Sequence, residues 1–122
     1  MADSQLLQSL SDEFQALQKD LSTVVEARQK LESQLQENQS VQKEFSGLED
    51  DANIYKLVGP VLLKQDKAEA VMNVDKRLEY IQSEIKRIEG QIKDIGDKQD
   101  KKKMEIMQVQ QQLQQAAEAA QG

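Results

Sequence analysis

Apolar side chains recur at alternating spacings of three and four along two long stretches of this chain, and the stretch between them breaks the pattern. In the first, Leu7, Leu10, Phe14, Leu17, Leu21, Val24, Leu31, Leu35 and Phe45 hold the a/d frame of a coiled coil. Arg28, Asn38 and Gln42 occupy polar positions of the same frame, where a polar residue sets register or is tolerated. Leu6, Val25 and Val41 widen the stripe. Ser4 is the expected N-cap and Gly47 the expected stop, which predicts a helix over about 5–48. In the second, Asp66 and Glu69 have capping-box spacing and open a helix over about 67–118. Val71, Val74, Leu78, Ile81, Ile85, Ile88, Ile92 and Ile95 keep the frame, Gln99 and Lys102 interrupt it, and Ile106, Val109 and Leu113 resume it. Ala116 and Ala120 end it weakly. Gly96 adjoins the interruption and, like Gly90, costs a helix about 1 kcal/mol against Ala, so the seam is expected to be softest between 95 and 106.

Between the helices, about 53–65, lies a run of another kind. Ile54-Tyr55-Lys56-Leu57-Val58 and Val61-Leu62-Leu63-Lys64 flank Gly59-Pro60, which reads as a β-hairpin. With a two-residue loop, Val58 faces Val61, Leu57 faces Leu62 and Lys56 faces Leu63, so the ribbon is apolar on both sides. A lone hairpin is marginal in water, and one with two apolar faces and free edges should seek partners. The helices, each with too narrow a stripe to stand alone, are expected to fold back on each other as an antiparallel coiled coil. Phe45 would then lie near Val74, and Leu7 near Val109 to Leu113.

Composition narrows the function. Only two Phe, two Tyr and no Trp occur in 122 residues, too few aromatics for a deep globular core. The formal charge of −6 argues against binding duplex nucleic acid, which needs clustered cations. The block Lys98–Lys103 reads either as a nucleic-acid patch or, more simply, as a solvated face beside acidic residues of the facing helix. No His or Cys is present, which removes the usual zinc ligands and most nucleophile–base pairs, and the isolated glycines form no phosphate loop. Neither a catalytic residue, a metal site nor a cofactor is expected, and the chain does not read as an enzyme. Met1-Ala2-Asp3-Ser4-Gln5 lacks the features of a signal peptide, and no apolar run approaches the roughly 20 residues that span a bilayer, so a cytoplasmic protein without membrane contact is expected.

The run Ile54-Tyr55-Lys56-Leu57-Val58-Gly59-Pro60-Val61-Leu62-Leu63-Lys64-Gln65-Asp66, followed by Val74-Asp75-Lys76-Arg77-Leu78-Glu79-Tyr80-Ile81, resembles the hairpin region of β-type prefoldin subunits. The specific likeness lies between about 51 and 95, and the outer arms match only as heptads. The resemblance implies a subunit of a cytosolic hetero-hexamer of two α-type and four β-type chains, whose hairpins join in intersubunit β-barrels. It further implies an ATP-independent chaperone that holds unfolded proteins such as actin and tubulin at its coiled-coil tips and delivers them to the cytosolic chaperonin. The assembly surface would be Ile54, Tyr55, Leu57, Val58, Gly59, Pro60, Val61, Leu62 and Leu63. Geometry, not a shared motif, points to Leu6, Leu7, Leu10, Ile106, Val109 and Leu113 as the client-binding tip, with plain closure of the seam as the competing role. The other class of function is a structural scaffold or tether built on parallel coiled coils.

Overall fold

A computed structural model describes residues 2–121. Four elements follow in order: helix α1 (Ala2–Ser46), strands β1 (Ile54–Val58) and β2 (Val61–Gln65), and helix α2 (Lys67–Gln121). The mainly α class with one hairpin between two long helices is as the sequence pattern predicts. Helix α1 starts two residues before Ser4, which therefore lies in the first turn and is not the cap; Asp3 in that turn complements the helix dipole. The helix ends at Ser46, where the Gly47 and Leu48 N–H groups donate to Glu44 and Phe45 carbonyls at 3.1 Å. These three-residue bonds tighten the last turn and fill carbonyls that the helix leaves open. Asp66 stands at the N-cap position of α2, its carbonyl accepting the Ala70 N–H at 3.0 Å.

The chain divides into two compact units, residues 28–87 and residues 2–27 with 88–121. In the first, Ala70, Val74, Leu78, Ile81 and Ile85 form one buried face of α2, joined by Ile54 of β1. Each well-buried Leu or Ile contributes about 1.5–3 kcal/mol. Helix α1 supplies half-buried Leu31, Leu35, Asn38, Val41 and Phe45. Phe45 and Val74 line one recess with Ile54 and Ala70, the expected proximity. Gln42 departs from its expected seam position: it is exposed, and Val41 turns inward instead. Asn38 and Phe45 on either side keep the expected frame, so the departure is confined to this one layer. Gln42 instead bridges the flank, Nε2 donating to Asp75 Oδ1 at 2.9 Å.

In the second unit Leu10, Ile88 and Val109 are buried among half-buried Leu7, Phe14, Leu17, Leu21, Ile92, Ile95, Ile106 and Leu113. The polar interruption is filled. Gln99, only 9% exposed, donates from Nε2 to Gln18 Oε1 at 2.7 Å. Lys102 Nζ reaches Glu13 Oε2 at 2.6 Å and Glu105 Oε2 at 3.4 Å, and the Lys103 ammonium lies 5.8 Å from the Phe14 ring centre. Among the described residues no buried side-chain nitrogen or oxygen lacks a hydrogen-bond partner. Ala116 and Ala120 are exposed, so the seam stops at Leu113; a methyl group is too short to extend it.

Candidate assembly surface

The hairpin is built around Gly59, whose φ of +58° is the only positive one among the described residues. A positive φ at the first loop position and the proline-fixed negative φ at the second are the type II′ combination, whose twist matches that of paired strands. The register is Ile54↔Gln65, Tyr55↔Lys64, Lys56↔Leu63, Leu57↔Leu62 and Val58↔Val61, as the sequence pattern predicts. Alternation then sorts the side chains. One face carries Ile54, Lys56, Val58, Val61, Leu63 and Gln65; the other carries Tyr55, Leu57, Leu62 and Lys64.

The helices cover very little of this ribbon. Ile54 at its root is buried and Gln65 opposite is half-buried, which anchors one corner. Everything towards the turn is open on both faces: Leu57 is 68% exposed and Leu62 63%, and Tyr55, Val58, Val61 and Leu63 are all at least 48% exposed. The sheet has two strands, so each strand also has an outer edge without a strand partner among the described residues. Open apolar faces beside unpaired N–H and C=O groups are the features that make an edge ribbon a candidate interaction surface. The nine hairpin residues singled out in the sequence thus occupy one continuous ribbon. The sequence pattern missed the difference between Ile54, which packs at the root, and the rest; the pairing of Ile54 with polar Gln65 was the available signal.

The residues near the chain ends fall into two groups. Leu10 and Val109 are buried, and Leu7, Ile106 and Leu113 are half-buried, all within the seam. Leu6, Met104 and Met107 are exposed. The basic block lies beside acidic residues of the facing helix: Lys102 pairs with Glu13, and Lys98 and Lys101 border a shallow recess with Glu13 and Asp20. Among the described residues no group of three or more His, Cys, Asp or Glu is placed to hold a metal ion, and no helix is long and apolar enough to cross a membrane.

The sequence pattern of the prefoldin subunit family matches residues 8–115. Prefoldin subunit 6 of Saccharomyces cerevisiae is 51% identical over 88 residues, 72% of this chain and 77% of that protein. Prefoldin subunit 6 of Arabidopsis thaliana is 47% identical over 93 residues, 76% of this chain and 72% of that protein, and the Homo sapiens subunit 6 is 49% identical over 89 residues, 73% and 69%. Among solved structures, the crystal structure of the prefoldin beta subunit from Thermococcus strain KS-1 superposes with a TM-score of 0.81 at 27% identity, covering 85% of this chain and 91% of that one. A single hairpin between two long helices, the family pattern matched over residues 8–115 and relatives about half identical over 69–77% of their own length together establish that the chain belongs to the prefoldin subunit family.

Proposed function

We propose that this prefoldin chaperone subunit enters a hexamer of two α-type and four β-type chains through its hairpin, which becomes part of an intersubunit β-barrel. In the cytoplasm the complex holds unfolded proteins, actin and tubulin among them, and delivers them to the cytosolic chaperonin without nucleotide. The observation that carries the assembly reading is the exposure of six apolar hairpin side chains on a ribbon with two unpaired edges. Client holding belongs to the unit that carries both chain ends, where Leu6, Met104 and Met107 offer exposed, adaptable apolar contacts beside Leu7, Leu10, Ile106, Val109 and Leu113. A weak grip repeated on several subunits suits clients of no fixed shape. A scaffold of parallel continuous helices is disfavoured, because the chain reverses at Gly59-Pro60.

The test is replacement of Val58 and Val61, or of Leu57 and Leu62, by Asp in the full chain, followed by mixing with the partner subunits. Light scattering should find a monomer, and circular dichroism a nearly unchanged helix content. Entry of either variant into the hexamer would overturn the assembly reading.

A further inference from the structure

One side chain beside the hairpin breaks a local rule. Lys67 is the first residue of α2, where the partial positive charge of a helix N-terminus disfavours a cation. Its ammonium reaches across to the other stem of the hairpin, where Nζ donates to the Leu48 carbonyl at 2.6 Å and pairs with Asp50 Oδ1 at 3.4 Å. The Lys67 side chain is 17% exposed and that of Asp50 fully solvated, so the carbonyl is the main partner. Leu48 lies just past the end of α1, where open carbonyls and the negative end of the dipole favour a cation. What is unfavourable for α2 is therefore favourable for the end of α1.

The clamp has consequences for the hairpin. The stem into β1 leaves Leu48 through a tight turn closed by the Ala52 N–H to the Glu49 carbonyl at 3.0 Å. The stem out of β2 passes through Asp66 alone into Lys67. Lys67 thus joins the two stems at their base. The ladder between the strands keeps them paired, but it does not set the direction in which the pair leaves the helices, and Ile54 is the only buried strand residue at the root.

We propose that Lys67 is a positioning residue for subunit assembly, holding the hairpin in the direction that neighbouring prefoldin subunits meet. This rests on the hairpin being the assembly surface. A ribbon that swings is competent to bind for only a fraction of the time, and the apparent affinity falls by that fraction. The test uses the full chain with Lys67→Met, which keeps the stem and removes the ammonium, titrated against the partner subunits. The expected result is an apparent Kd weaker by roughly tenfold, as for a competent fraction of about one tenth. The distribution of distances between spin labels at Lys43→Cys on α1 and Lys56→Cys on β1 should broaden in the free chain, helix content should stay constant, and Lys67→Arg should recover both the affinity and the narrow distribution. Unchanged affinity or an unchanged distance distribution overturns the proposal, and so does loss of helix content, since the clamp would then hold the fold and not the direction. Val58→Asp with Val61→Asp is run alongside. If that variant assembles, the hairpin is not the assembly surface and both readings fall; if it stays monomeric while Lys67→Met behaves as the parent chain, only the clamp proposal falls.

Discussion

Gln99 shows how a single polar residue is accommodated in an apolar seam. Its amide is satisfied by Gln18 at 2.7 Å, so the cost of burying it appears only when the partner is removed. Gln18→Ala should destabilise the chain by about 1 kcal/mol, whereas Gln18→Leu combined with Gln99→Leu should be neutral or stabilising, because neither polar group is then stranded. Thermal melts of the single and double variants check this, and a double variant less stable than the single one would refute it. At Gly90 and Gly96 an added methyl would meet no atom within 4 Å, so each change to Ala should stabilise by about 1 kcal/mol through helix propensity alone. Glu84 accepts a hydrogen bond from Arg87 Nη2 at 2.8 Å, and this bond holds its carboxyl below the ordinary 4.5. A depressed folded-state value means that the contribution is present above about pH 4.5 and is lost as acid protonates the folded chain below it. The melting temperatures of the parent chain and Glu84→Gln should therefore converge as pH falls through that range.

The elements differ in how far local pattern specifies them. The hairpin was legible residue by residue, because Gly59-Pro60 admits one kind of turn and a two-residue turn sets every cross-strand pair. The helices were legible as faces but not as ends: α1 begins at Ala2, and Gln42 yields its place to Val41. Helix ends depend on fraying and on which side chains reach the last carbonyls, and the residue that turns inward at one layer of the seam is settled only by the packed pair. In α2 the buried apolar positions crowd between Ala70 and Ile88, whereas beyond Ile88 only Gln99 and Val109 are buried. Local stability follows buried contact density, so amide exchange should be slow from Val71 to Ile95 and faster beyond Lys102, despite the satisfied polar layer. Uniform protection along α2 would contradict this.

At the scale of the whole molecule, client holding should depend on side chains exposed near the chain ends. Replacing Leu6, Met104 and Met107 by Ser leaves the buried seam intact, and complexes reconstituted with this chain should suppress client aggregation less while keeping their size and helicity. Changing Leu7, Leu10, Val109 and Leu113 to Ser should weaken holding further, with added fraying, because Leu10 and Val109 are buried. Holding activity that survives both sets would place client binding elsewhere. The periodicities of two and three-and-a-half, the single Gly-Pro turn and the lack of His and Cys determined by themselves the order of elements, the strand register and the kind of surface the hairpin presents, because each is a matter of near neighbours in the chain. The tertiary structure alone decided which polar groups meet: Gln99 with Gln18, Lys102 with Glu13, and Lys67 with the carbonyl of Leu48. Those partners lie far apart in sequence, and a long flexible side chain finds its acceptor only after packing has brought the two backbones side by side.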